Sequence, residues 1–293
     1  MLTMPVLLIV FNRPDTTRQV FGAIRCAQPR QLFVAADGPR EGVGADEALC
    51  AAARRVATAV DWDCDVQTLF REGNLGCGLG PSLAISWFFD NVEAGIIFED
   101  DCVPDSKFFR FSGELLDYYR SASRIMMISG NNFLRGRKRG NASYYFSRYP
   151  HIWGWATWRR AWQHFDYEAI PEEYRKHGIW DRQWLLAFER NRGLAVAPNV
   201  NLVRNVGCGT NDATHTSVMD ERYANLSVRP MVFPLTHPGR IRRMDRYTDY
   251  TPSSPEERTY LGAPLRLARL GYRKGRNRCA SVVKGTFRFP ERP

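Results

Sequence analysis

No run of apolar residues in this chain approaches the roughly 20 needed to cross a bilayer, and the N-terminus has no basic region leading into a long apolar core. A cytoplasmic location is therefore expected. The seven cysteines are odd in number and form no C-x-x-C pair. That excludes a zinc ribbon or a disulfide framework and leaves reduced, mostly buried thiols as the expectation. Internal repeats and low-complexity segments are also missing, which excludes a repeat architecture. Asn141-Ala142-Ser143 and Asn225-Leu226-Ser227 fit the glycosylation pattern, but without a secretion signal both read as chance matches.

What is present is an ordinary globular composition, 44% hydrophobic and 25% charged over 293 residues. That length holds one large α/β domain with a tail, or two small domains, with a substantial core either way. The net charge of +10 is unevenly placed. From residue 239 to the end there are fourteen Lys and Arg against five Asp and Glu, a balance of +9, so the first 238 residues are close to neutral. The expected division is a domain at 1–238 and a basic extension at 239–293. A nucleic-acid enzyme more often spreads basic residues along its cleft, and no nucleic-acid partner is expected.

Residues 4–11 are a short apolar run ending in Asn12-Arg13-Pro14-Asp15, the pattern of a buried strand and a turn. Asp15 or Thr16 is placed to cap a helix carrying Val20, Phe21 and Ile24 at helical spacing. A second buried strand at 32–36 delivers Asp37, an alanine-rich helix covers 45–60, and a third strand at 65–70 delivers Arg71. Residues 72–82 hold four glycines, Gly73, Gly76, Gly78 and Gly80, before an apolar helix. Their spacing matches neither the Walker nor the dinucleotide fingerprint and reads as a loop allowing close approach of a sugar or of backbone. Alternating βα units predict an α/β fold with a mostly parallel sheet.

The stretch Gly95-Ile96-Ile97-Phe98-Glu99-Asp100-Asp101 sets three carboxylates at the end of an apolar strand, with Pro104 expected to stop the strand. Open α/β sheets bind ligands at that edge. Three adjacent acids repel one another unless a cation, hydroxyl donors or protons relieve them. Mg²⁺ or Mn²⁺, hard cations that favour carboxylate oxygens, are the expected partners, holding a diphosphate.

Further on, a helix is expected at 105–119 with Asp105 or Ser106 as its cap, then a strand at 124–129. Residues 144–165 are crowded with aromatic side chains, which serve either as a stacking platform for an acceptor sugar or as core. Trp155, Trp158 and Trp162 follow helical spacing, which marks a packing face. Trp180-Asp181 opens a helix, with Asp181 a cap on spacing alone. A strand at 195–203 leads into a small polar loop, 204–216, containing His215 and suited to closing over a ligand.

Together, the strand ending in Phe11-Asn12-Arg13, the strand ending in Asp37, the Gly-rich segment and Phe98-Glu99-Asp100-Asp101 followed by Pro104, Asp105, Phe108 and Phe109 resemble the GT-A glycosyltransferases. The likeness is to N-acetylglucosaminyltransferase I and to bacterial capsule and lipopolysaccharide nucleotide-diphospho-sugar transferases, over residues 4–216. It implies a Rossmann-like GT-A sheet flanked by helices. It also implies Mn²⁺ or Mg²⁺ on Asp101, with His215 reaching the metal or the diphosphate. Glu99 and Asp100 would approach ribose and donor sugar, Phe11, Asn12 and Arg13 would line the nucleotide, and Asp37 would read the base with Arg71 nearby. Asp181, after Trp180, matches the segment that carries the catalytic base in the resembling family. The implied reaction is inverting transfer from a nucleotide-sugar, UDP-sugar favoured, to a saccharide or lipid-linked saccharide in bacterial surface polysaccharide synthesis.

The basic extension mixes Leu265, Leu267 and Leu270 with Arg266, Arg269, Arg273, Lys274, Arg276 and Arg278. Such a segment either lies peripherally on an anionic membrane surface or is simply solvated. Two other functions compete. A sugar-phosphate nucleotidyltransferase shares fold and metal but usually carries a Gly-rich basic loop after its first strand. A non-catalytic carbohydrate- or nucleic-acid-binding module leaves Glu99, Asp100 and Asp101 without a role.

Overall fold

The computed structural model describes residues 2–134, 136–169, 180–207 and 226–244. Strand β1 (Val6–Val10) lies inside the sheet because both of its faces are apolar. Val6, Leu8 and Val10 join one core layer, while Leu7 and Ile9 join the other. Around it run α1 (Pro14–Ala27), β2 (Gln31–Ala36), α2 (Gly44–Ala57), β3 (Asp65–Phe70), α3 (Gly76–Asn91) and β4 (Ala94–Glu99). Then come β5 (Cys102–Pro104), α4 (Ser106–Tyr118), β6 (Ile125–Ser129), β7 (Tyr144–Ser147), β8 (Trp155–Trp158) and α5 (Arg159–Trp162). The last described elements are α6 (Asp181–Asn191), β9 (Leu194–Pro198) and β10 (Val203–Asn205).

Eight strands form one sheet in the order β3-β2-β1-β4-β8-β6-β9-β7. Only β8 and β7 run against the rest. The expected α/β architecture, a mostly parallel sheet flanked by helices, is therefore what the structure shows. Residues from α1 and α4 pack on one face, and those from α3 and α6 on the other. Since β1, β2, β3 and β4 are parallel, the turns after them, carrying Arg13, Asp37, Arg71 and the acids, open along one edge.

Several local expectations need correcting. Neither Asp15 nor Thr16 caps α1: Pro14 sits at its first turn, and the hydroxyls of Thr16 and Thr17 donate instead to the Arg13 carbonyl. Most of the Gly-rich segment is not a loop but the first turns of α3, which begins at Gly76 with φ +77°. Pro104 does not end the strand that delivers the acids, which stops at Glu99; it is the last residue of the next one. After a turn at Asp100-Asp101, it lies in β5, which pairs with β10.

The strand expected at 195–203 is divided into β9 and β10, which belong to different sheets. Trp155 and Trp158, despite their helical spacing, lie on β8, and both are core. Asp105 does cap α4, accepting the Lys107 amide at 2.9 Å. Of the described thiols Cys50 and Cys102 are buried, but Cys26 and Cys77 are exposed, so mostly buried was too strong.

Residues 226–244 lie along the domain. Met231 is core, the Tyr144 hydroxyl meets His237 Nδ1 at 2.7 Å, and the Met244 amide donates to the Phe146 carbonyl at 2.8 Å. The rest of the basic extension, 245–293, is outside the described residues. No described helix is long and apolar enough to cross a membrane.

Candidate active site

The acids are held by the turn after β1. Arg13 sits between two carboxylates, donating through Nη1 to Asp101 Oδ2 at 3.1 Å and through Nη2 to Asp100 Oδ1. The Phe11 amide donates to the other oxygen of Asp100 at 3.2 Å. Both acids are nearly inaccessible, Asp100 at 2% and Asp101 at 7% of full exposure, so an unpaired charge here would be costly. Burial alone would lower the Arg13 pKa, but Asp100 and Asp101 more than offset it and keep the guanidinium charged. Relief of the triplet therefore comes partly from a cation belonging to the chain.

Protons supply another part. Burial, with the neighbouring Asp101 and Asp100 charges, pushes Glu99 up to about 8, so it carries its proton at neutral pH. Burial also raises Asp100, against the pull of Arg13.

A third wall of the site comes from β10, whose antiparallel pairing with β5 carries the chain back over the acids. The Val206 amide donates to the Asp101 carbonyl at 2.8 Å. Gly207 lies so close that a Cβ there would be 2.5 Å from Asp101 Oδ2 and 2.8 Å from Arg13 Nη1. Only glycine fits that approach without displacing the pair.

Asp181 comes from the first turn of α6, far along the chain, yet its charge is felt by both Glu99 and Cys77. Its Oδ1 is buried and has no hydrogen-bond partner among the described residues, and burial raises its pKa to about 6. An unpaired buried carboxylate oxygen beside the acidic turn has unused capacity to accept a proton. The cap position of α6 is Trp180 rather than Asp181, and the amides of Arg182 and of Asp181 itself partly offset the burial of the carboxylate.

The other sequence candidates are placed as follows. Asp37 is occupied by backbone, accepting the amides of Gly38, Leu75 and Gly76 at 2.9–3.1 Å and pinning the start of α3. Arg71 follows β3 and lowers the Asp37 pKa, although burial outweighs it and leaves that carboxyl raised. Asn12 donates through Nδ2 to Asp46 Oδ1 at 2.8 Å. His215 and residues 208–216 of the polar loop lie outside the described residues.

Sequence reading missed Asp46 and Arg40. Asp46 looks like an ordinary acid at a helix start, but it is 1% exposed and grips Arg40 through Nε at 2.6 Å and Nη2 at 2.9 Å. Its burial was not readable from a first-turn position. It depends on the β1 and β2 turns meeting in space.

Among the described residues, no group of three His, Cys, Asp or Glu is arranged to hold a metal. Mg²⁺ takes one or two carboxylates and completes its shell with substrate phosphates and water. Asp101 would be such a carboxylate, with Oδ2 on Arg13 and Oδ1 near Cys102 Sγ at 3.2 Å.

No family model matches the chain, and no curated protein matches it in sequence. Among solved structures it is similar to S. aureus TarS 1-349, at 12% identity and TM-score 0.39, over 63% of this chain and 56% of that one. The chain thus spans little more than half of that protein's length. It is also similar to mouse xyloside xylosyltransferase 1 in its apo form, at 13% identity and TM-score 0.36, over 65% of this chain and 83% of that one. A third is UDP-glucose pyrophosphorylase complexed with UDP-glucose, at 10% identity and TM-score 0.39, over 76% of this chain and 96% of that one.

Proposed function

We propose that this chain is a glycosyltransferase that moves a sugar from a nucleotide-diphosphate donor to a hydroxyl of a saccharide or lipid-linked saccharide. The observation that carries the reading is Asp181: a buried carboxylate oxygen without a partner, set beside a protonated Glu99 and the Arg13-bound pair Asp100 and Asp101. A transferase needs one unencumbered base next to a polar cradle for a diphosphate-linked sugar. The nucleotide-reading turns after β1 and β2 and the acids after β4 supply the cradle.

In this reading Asp181 accepts the acceptor hydroxyl's proton as that oxygen attacks the anomeric carbon. The bond from that carbon to the diphosphate oxygen breaks on the opposite face, which inverts the configuration. Protonated Glu99 donates a hydrogen bond to a sugar oxygen, and Asp100 accepts one from a ribose or sugar hydroxyl. Asp101, joined by His215, would hold the metal. A bound Mn²⁺ or Mg²⁺ supplies positive charge to the leaving diphosphate. A role in bacterial surface polysaccharide synthesis, a UDP-sugar donor and peripheral membrane attachment through the basic tail belong to the same proposal. A sugar-phosphate nucleotidyltransferase is disfavoured because β1 runs through three residues straight into α1 at Pro14, leaving no room for a Gly-rich phosphate loop.

The test is thermal unfolding of the full chain with UDP, with and without Mn²⁺. The expected result is a rise in Tm that requires both and disappears in Asp101→Ala. Equal protection by UDP in EDTA would remove the metal from the assignment, and no response to any nucleotide would remove the transferase.

A further inference from the structure

The base of a nucleotide donor needs a hydrogen-bonding partner of fixed sense, and the turn after β1 contains one. Asp46 is a carboxylate and can only accept, so the amide that faces it at Asn12 must be the NH₂ group. That assignment fixes the Asn12 side chain. Its Oδ1 points away from Asp46, and no hydrogen bond from a described residue reaches it. Asp46 itself cannot turn, because Arg40 grips both of its oxygens and the Arg40 amide adds a third hydrogen bond at 3.1 Å. Side-chain bonding from Arg40 holds Asp46 well below the usual carboxylate range, so the acceptor sense persists at any ordinary pH.

The position suits a base. The acids follow β4, Asn12 follows β1, and Arg40 and Asp46 follow β2, which are successive neighbours in the sheet. From β4 to β2 is two strand spacings, roughly 10 Å, the sort of span a nucleoside sets between its diphosphate and its base. The Arg40 guanidinium stands 5.5 Å from the centre of the Phe11 ring, bringing a cation and an aromatic face beside Asn12. Asp37, the other carboxylate at this edge, already accepts three backbone amides.

We propose that Asn12 is a specificity-determining residue that reads the donor's base through Oδ1, with Asp46 as the positioning residue that sets its amide; this rests on the nucleotide-sugar reading above. An acceptor at that point pairs with the N3–H of uracil or thymine, or the N1–H of guanine. It meets a lone pair at N3 of cytosine and N1 of adenine, where both groups are left unsatisfied. The role of base reader moves from Asp37 to Asn12.

The experiment is calorimetric titration of the full chain in Mn²⁺ with UDP, CDP and N3-methyl-UDP. UDP is expected to bind on the order of tenfold or more tighter than either of the others, the loss that one unpaired buried hydrogen-bonding group carries. Asn12→Ala, which keeps the Asp46–Arg40 pair, should bring all three within about threefold of one another. Asp46→Asn, which lets the amide of Asn12 turn over, should reduce the UDP-to-CDP ratio in the same direction. N3-methyl-UDP binding as tightly as UDP, or a ratio unchanged in Asn12→Ala, would overturn the assignment while leaving a nucleotide-binding site in place. Binding of no nucleoside diphosphate overturns both this assignment and the reading beneath it.

Discussion

The two halves of the sheet are built by different rules. Strands β3, β2, β1 and β4 are all parallel, and their turns deliver Arg71, Asp37, Arg13 and the acids to one edge. The other half, β8-β6-β9-β7, mixes directions, with β8 and β7 running against β6 and β9, and its inner strand β8 is Trp155-Ala156-Thr157-Trp158 with every residue buried. In the first half, polar chemistry sits at strand ends while aliphatic residues fill the middle. In the second, Trp155, Trp162, Trp180 and Trp184 stack and tilt against one another at 5.1–6.2 Å. This aromatic layer carries the start of α6, and with it Asp181. In the proposed reading the parallel half is the cradle, and the mixed half mounts Asp181.

The sharpest way to separate the halves is Asp181→Asn, which leaves the cradle untouched. Turnover should fall by about 10² to 10⁴-fold, the usual contribution of a general base, while calorimetry shows donor binding unchanged. Near-normal turnover would remove Asp181 from its role.

Next in size is Trp155→Ala, which opens a cavity between β8 and α6. Chemical denaturation should show a loss of about 3–5 kcal/mol, and what folded protein remains should still bind nucleotide. A loss below about 1 kcal/mol would mean the aromatic layer is not the mount.

A smaller effect is expected in the pH profile. Asp181 must be ionised to accept a proton, and burial raises its pKa to about 6. The kcat/KM of the free enzyme should therefore be level at neutral pH and fall tenfold per unit below about pH 6. In Asp181→Asn that acid limb should shrink to the part contributed by Asp100, whose carboxyl burial also raises to about 6.

The smallest stability change is assigned to Gly76→Ala. A Cβ there meets nothing within 4 Å, so only the left-handed backbone, at φ +77°, opposes it. The expected cost is about 1 kcal/mol, with nucleotide affinity unchanged. Gly207→Ala should weaken the nucleotide response, because its Cβ would fall on Asp101 and Arg13.

Much of the parallel half was legible in the residues. Continuous apolar runs marked β1, β2 and β4, since strands covered on both faces need no polar alternation, and the acids were correctly expected at the exit of β4. The mixed half was not. Tryptophans at i, i+3 and i+7 match a helix, but Trp155 and Trp158 occupy the two ends of a four-residue strand buried on both sides, where no periodicity survives. The glycines of α3 also misled, because a helix whose first turns lie against Asp37 needs small residues just as a loop does.

The order of the amino acids alone determined which segments are buried and where the carboxylates leave the sheet, because hydrophobic runs and strand-ending turns are local properties. It did not decide what neutralises those carboxylates. That Arg13 bridges Asp100 and Asp101, that Asp46 turns the amide of Asn12, and that the charge of Asp181 reaches Glu99 all join residues 34 to about 90 positions apart. Charge pairing depends on distances and burial, and those exist only once the sheet has set its turns side by side.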